Sequence, residues 1–388
     1  MNGVMLKSGK ESIFHLRHHW IFSGAVASYP KGYQDGSLIP VFSSNNQLLG
    51  YGYFNRKSGL CGRIISFGED PYLQLERSLL QAIEMRKRFF NDEETDAYRL
   101  VNGEGDSLPG LIIDKYGPYL VLQIGTLGME KLKSRIIDLL TRLLPIKGIY
   151  EKSTAPSRKE EGLENNEEIL WGDLPDEVII KEDTLSFELS VKTGQKTGFF
   201  LDQREMRRWI GKLACGKRLL NCFSYSGGFT LHALKQGALK VDSVDISAEA
   251  LALSRRNIAL NGFSTEAQGF FQMDVFKFLR ENPLDYEIVI LDPPAFAKKK
   301  RDIESACRGY RDINSIAFKK MLPGSLLLTC SCSYHIDEAL FQKLLFQSAH
   351  DANRQIRIVS KHRLSADHPI NLFHPETDYL KSFLLYLS

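Results

Sequence analysis

The chain has 388 residues, 43% hydrophobic and 25% charged, with a formal net charge of +3 at pH 7; one hydrophobic core rarely serves so long a chain, so two or three domains are expected. No stretch approaches the ~20 apolar residues that cross a bilayer and no apolar signal core opens the chain, so no membrane partner and a cytoplasmic location are expected. The six cysteines, at 61, 215, 222, 307, 330 and 332, form no CxxC pair and have no His at ligand spacing, and GxSxG, GxxxxGK[ST] and HExxH are absent; a disulfide framework, a bound metal and the simplest hydrolase and P-loop readings are set aside.

Residues 1–70 read as short strands punctuated by Lys31-Gly32, Asp35-Gly36, Asn45-Asn46 and Lys57-Ser58-Gly59, which predicts a small N-terminal β-barrel-like module. Residues 71–185 read as a central α+β domain. Leu75, Leu79, Leu80, Ile83 and Met85 recur near helical spacing, turn pairs such as Asn102-Gly103 and Pro109-Gly110 separate strands, and a helix is expected through Ile137 and Leu140. The charged run from Ser157 to Glu168 has no periodicity and is expected to be a solvated loop. From residue 186 to 388 apolar strands and helices alternate, and several strands end in a polar residue: Asp245, Asp274, Asp292, Cys330. Repeated βα units predict a Rossmann-like, mainly parallel sheet, hence a multidomain α/β chain whose ligands gather at the carboxyl ends of the strands.

The turn Asn221-Cys222-Phe223-Ser224-Tyr225-Ser226-Gly227-Gly228-Phe229 follows an apolar strand and opens a helix, and Asp245 comes about twenty residues later, the spacing at which a carboxylate accepts ribose hydroxyls. The same pattern suits a dinucleotide. Yet the turn is not GxGxxG, and one Gly-Gly pair provides poorly for a pyrophosphate, whereas S-adenosylmethionine (SAM) has no phosphate to seat. Asp274 falls where a third strand lets a carboxylate meet the adenine amino group; the bland alternative is a helix N-cap.

Leu291-Asp292-Pro293-Pro294-Ala295-Phe296 follows another apolar strand, and two prolines after an acid stiffen the chain. In methyltransferases this pattern holds a flat base by its edge, with Phe296 as the expected stacking partner. Thr329-Cys330-Ser331-Cys332-Ser333 ends the next strand ahead of a helix whose N-terminal dipole is expected to favour a thiolate. A thiolate attacking C6 of a pyrimidine activates C5, while Asp292 bonds N3. Cys332 is the expected nucleophile and Cys330 a core thiol. The basic run Lys298-Lys299-Lys300-Arg301 is expected to contact phosphate, Arg86-Lys87-Arg88 less so.

Arg17 to Gly24, Leu100 to Ile112 and Val191 to Arg204 resemble the PUA-domain-containing 23S rRNA (cytosine-C5)-methyltransferases of the large-subunit methyltransferase I family, over nearly the whole chain. The resemblance implies that residues 1–70 form a PUA-like RNA-binding domain, that 23S rRNA is the partner, and that SAM is the cofactor. It implies that Phe223, Tyr225 and Gly227 line the cofactor turn, that Asp245 holds the ribose and Asp274 the adenine, that Asp292 faces the base, and that Cys332 attacks it; Ser226, Ile246 and Val275 are expected to bind the cofactor as well. Gln203 and Arg204 are expected at the cofactor loop; Pro293, Pro294, Phe296, Lys196, Lys298 and Lys299 are expected on the substrate side. Family members commonly carry Phe at the position of Cys330. A homodimer is compatible with this reading. Two rivals are an RNA base N-methyltransferase, which uses the same Asp-Pro-Pro-aromatic pattern without a thiol, and a non-catalytic RNA-binding assembly factor.

Overall fold

The computed structural model describes residues 2–388. They form two compact units: 2–184 with 190–201 and 366–377, and 185–189 with 202–365 and 378–388. Two segments expected with the catalytic domain, 190–201 and 366–377, thus pack with the N-terminal unit.

The first unit opens with a six-stranded sheet in the order Trp20–Ile21, Gly62–Ser66, Leu48–Phe54, Leu38–Phe42, Val4–Leu6, Val26–Ser28, closed over Val4, Ile21, Val41, Phe54 and Ile64. Its strands approach closely at Gly52, where a Cβ would stand 2.5 Å from the Arg63 carbonyl oxygen. A helix over Pro71–Phe89 follows; Asp70 accepts from Tyr72 and Leu73 N–H, and Pro71 sits in the first turn, where its missing N–H costs nothing. Its Leu75, Leu79 and Ile83 join one core with a five-stranded sheet (166–172, 148–153, 119–124, 111–116, 97–102 in spatial order) and the helix Leu127–Leu143.

One expectation fails in this unit and another is narrowed. The run Ser157 to Glu168 is no solvated loop: it holds a short helix, Ser157–Glu160, and the start of the strand Asn166–Gly172. Arg158 is buried, with its guanidinium on the Ile124 carbonyl and beside Glu130 and Glu151, so carboxylates of the helix Leu127–Leu143 and the strand 148–153 draw it inward. Arg86, in the first basic run, is also fully buried, bonded bidentately to Asp106 at 2.6 and 2.8 Å, and presents nothing to a phosphate.

The second unit carries β1 (Arg218–Cys222), α1 (Gly228–Lys235), β2 (Lys240–Asp245), α2 (Ala248–Leu260), β3 (Phe270–Gln272), α3 (Val275–Glu281), β4 (Ile288–Leu291), α4 (Ile303–Lys320), β5 (Leu326–Ser331), α5 (Glu338–Asp351), β6 (Ile356–His362) and β7 (Lys381–Leu387). The spatial order is β3-β2-β1-β4-β5-β7-β6, with β7 antiparallel to both neighbours and the first five strands parallel. The chain leaves β1 toward β2 on one side and returns as β4 on the other. That reversal opens a crevice at the carboxyl ends of β1 and β4. Among the described residues no helix is long and apolar enough to cross a membrane.

Candidate active site

The turn after β1 is tightly wound: Phe223, Tyr225 and Gly227 have φ of 59°, 44° and 82°. Left-handed backbone costs a non-glycine residue ~1–2 kcal/mol, so neighbouring bonds must hold Phe223 and Tyr225 there. They do: Ser224 N–H donates to the Val244 carbonyl, Gly227 N–H to that of Ser224, and Tyr225 N–H to Asp245 Oδ2 at 2.9 Å. Asp245 Oδ1 accepts from Ser247 N–H at 3.0 Å. Each oxygen retains acceptor capacity for a diol. Beside this carboxylate Ile246 leaves 70% of its surface exposed, an apolar face at a polar strand end. Ser224 Oγ is buried without a hydrogen-bond partner in the turn itself. Asp274 at the end of β3 is exposed; its Oδ1 caps α3 by accepting from Lys277 N–H, leaving Oδ2 for a ligand.

One strand over, β4 delivers Asp292. Gln203 Nε2 donates to its Oδ1 at 3.0 Å, orienting the carboxylate. β5 lies alongside, with Leu291 opposite Thr329, and its end carries Cys332 past the Asp-Pro-Pro turn, where the thiol donates to the Pro293 carbonyl at 3.7 Å. Cys330 is fully buried, and burial pushes its thiol far above the usual range, with Asp292 adding to the shift. Cys332 is half-buried. Behind it Ser333 Oγ meets Ala297 N–H at 3.2 Å and Tyr310 Oη at 3.0 Å, tying the β5 end to the β4 loop. Burial holds Tyr310 protonated, pushed up to about 12.

A carboxylate row thus stands at the ends of β2 and β3, beside a thiol and an acid at β5 and β4. The family described as S-adenosylmethionine-dependent methyltransferase matches residues 163–369, and a PUA-like domain matches residues 4–67. The ribosomal RNA large subunit methyltransferase I of Aeromonas salmonicida is 38% identical over 98% of both chains, and that of Erwinia tasmaniensis is likewise 38% identical over 98% of both. The chain belongs to the large-subunit methyltransferase I family. A methyltransferase solved in complex with SAH superposes with a TM-score of 0.84 at 25% identity, over 99% of this chain and 100% of that one. The wild-type Trm5b of Pyrococcus abyssi, at 17% identity and a TM-score of 0.53 over 71% of this chain, shares the fold alone. As a family member the chain is a SAM-dependent methyltransferase with a PUA-like N-terminal domain and a class I catalytic sheet. The cradle fits this cofactor: Asp245 for the ribose, Asp274 for the adenine amino group, Ile246 for the ring face, and the unpartnered Ser224 hydroxyl for a polar group.

Other residues expected at the site of this methyltransferase fall less simply. Ser226 is buried and its carbonyl accepts from Asn257 Nδ2, so it braces the cofactor turn. Val275 puts its side chain into the apolar core, leaving only main chain to face a ligand. Gln203 donates to Asp292, and Arg204 is fully buried. The Phe296 ring is half-buried, with Tyr310 4.7 Å away and Gly309 against it, so packing already claims much of the expected stacking surface. Pro293 is buried, and Pro294, Lys298 and Lys299 are exposed. Lys196, in the first unit, is exposed with Nζ 4.3 Å from the Phe200 ring centre. Lys381 and Tyr310 escaped the sequence; a lone lysine opening the apolar strand 381–387 was the available signal.

A second convergence of polar side chains lies in the first unit, where ligand atoms of His18, His374 and Glu376 fall within 4.8 Å of one another. Tautomers decide its chemistry. His18 Nδ1 accepts from Trp20 N–H and His374 Nε2 from His19 N–H, so in each neutral ring the nitrogen toward Glu376 carries hydrogen. Such rings stand 3.6 and 3.9 Å from the Glu376 carboxylate and present it no lone pair for a cation. Burial, with His18 and His19 adding, depresses His374 to about 3 and keeps it neutral.

Proposed function

We propose that this methyltransferase transfers the methyl group of SAM to C5 of a cytosine in 23S rRNA, through a transient bond between Cys332 Sγ and C6. The observation that carries the reading is the 3.7 Å contact from the Cys332 thiol to the Pro293 carbonyl, which sets the sulfur beside the acid of the Asp-Pro-Pro turn. Support for RNA comes from the relatives' names, from the PUA-like domain, and from exposed Lys298 and Lys299 one turn past the base-facing motif. In the first unit a polar groove of about 390 Å³, lined by Arg17, Arg77, Gln74, Gln81 and Phe373 among others, has the mixed basic and aromatic lining that suits a nucleotide.

The cytosine must leave its stack to reach such a crevice. Cys332 as thiolate attacks C6, forming the S–C6 bond; the C5=C6 pair shifts through C4 to N3, which takes a proton from Asp292 in its acid form, held in place by Gln203, and leaves an enamine whose nucleophilic carbon is C5. Bound SAM supplies the electrophilic methyl group that the C5 pair takes up. The N3 proton returns to Asp292, and loss of the C5 proton to solvent water restores C5=C6 and expels the Cys332 sulfur as thiolate.

The test is Cys332→Ala with purified protein, SAM and 23S rRNA, the nucleosides being read by mass spectrometry. The expected product of the parent chain is 5-methylcytidine, and the variant loses on the order of 10³-fold or more in rate. Full retained activity removes the nucleophile, and N-methylguanosine as product transfers the motif to the N-methyltransferase reading.

A further inference from the structure

Lys381 opens β7 directly opposite Ser331, one residue before the reacting cysteine, and only 5% of its surface is exposed. Its ammonium donates to the Ser333 carbonyl at 2.7 Å and to the Tyr379 carbonyl at 2.7 Å, two neutral acceptors. An ammonium taken out of water onto carbonyls alone is a costly arrangement, normally found where its charge serves a neighbour. Burial, the largest influence, depresses Lys381 to about 8, and among the groups that oppose the shift Cys332 comes first, ahead of Asp337. Coupling of two charges is reciprocal, so a cation stabilised by a thiolate stabilises that thiolate.

Asp292 precedes the carbonyl that the thiol touches, and Cys330 and the phenol of Tyr310 lie near it, so an acid, a second thiol and a phenol approach it from β4, β5 and α4. The N-terminus of α5, the source of positive potential expected from the sequence, is already capped by Asp337, whose Oδ1 accepts from Leu340 N–H at 2.7 Å. Arg363, which faces Lys381 from the chain after β6, is engaged by Glu338 and Asp378.

We propose that Lys381 is the positioning residue of the reacting thiol: anchored on the Ser333 carbonyl, its charge fixes the turn that carries Cys332 and holds the sulfur as thiolate. The inference rests on Cys332 being the nucleophile. It predicts an alkylation midpoint for Cys332 below the ~8.5 of an ordinary thiol. The experiment follows iodoacetamide labelling of Cys332 against pH by peptide mass spectrometry in the full chain, with exposed Cys215 as internal reference. Lys381→Met is expected to raise the Cys332 midpoint by about one pH unit and slow labelling near pH 7 about tenfold, with Cys215 unmoved; Lys381→Arg, which keeps the charge, brings the midpoint back. A folded Lys381→Met chain with an unshifted midpoint overturns the proposal, and so does an unaltered chain whose Cys332 titrates at or above ~8.5, a result that needs no variant to fold. A shifted midpoint together with full methyl transfer by Cys332→Ala leaves Lys381 acting on the thiol and removes only the functional reading.

Discussion

Gly227 concentrates two constraints on one atom. Its φ is 82°, and a Cβ built there would stand 2.3 Å from Ser254 Oγ, on a fully buried residue of α2 with no room to retreat. Gly227→Ala therefore pays in backbone conformation and in overlap, about 1–3 kcal/mol together. It must also shift the turn whose Tyr225 N–H holds Asp245. The expected outcome is a lower melting temperature and weaker SAM binding by calorimetry; unchanged values of both would mean that the turn relaxes freely. The sequence gives away this glycine because Gly-Gly after an apolar strand is a local pattern. Nothing local marks Gln203 as the partner of Asp292, since the residues that meet there are 89 positions apart.

At the scale of elements, the catalytic sheet was legible because each strand is a short apolar run ended by a polar residue, as Ile288–Leu291 is ended by Asp292, and strand ends of a parallel sheet share one edge. Charge runs misled, because a run reports its own charges and not the counter-charges that meet it. Arg86 shows the consequence. On the helix Pro71–Phe89 it looks like one of three consecutive exposed cations, yet it bridges that helix to Asp106, to the Arg99 carbonyl at 2.8 Å and to the Asp367 carbonyl at 2.8 Å. Arg86→Met strands a buried carboxylate and is expected to cost about 3–5 kcal/mol. Arg86→Met with Asp106→Leu should recover part of the loss, because no unpaired charge then stays inside. Denaturant melts of the two variants check this, and equal losses would show that the ion pair contributes nothing beyond packing.

For the whole molecule, domain boundaries drawn along the sequence miss how the first unit is completed. Composition changes near residue 185, but nothing in residues 366–377 announces that they return to a unit begun 355 positions earlier, where His374 Nε2 accepts from His19 N–H at 2.7 Å. The same segment places Asp367 Oδ2 on Arg99 N–H at 2.9 Å and the Pro369 carbonyl on Asn102 Nδ2 at 3.0 Å, and lies so close to Gly105 that a Cβ there would be 2.0 Å from Pro369 O. Contacts of this separation form late and at high entropic cost, so the first unit should not reach full stability until the second has been traversed. A chain ending at residue 201 keeps the segment 190–201 and loses these acceptors together: the buried Arg99 N–H and the Arg86 guanidinium each lose a partner, at about 1–3 kcal/mol apiece. Its melting temperature should fall well below that of the same unit in the intact chain, and a synthetic peptide of residues 366–377 should raise it in proportion to its concentration. A fragment that melts with the intact chain and ignores the peptide would make the first unit independent of its distant segment.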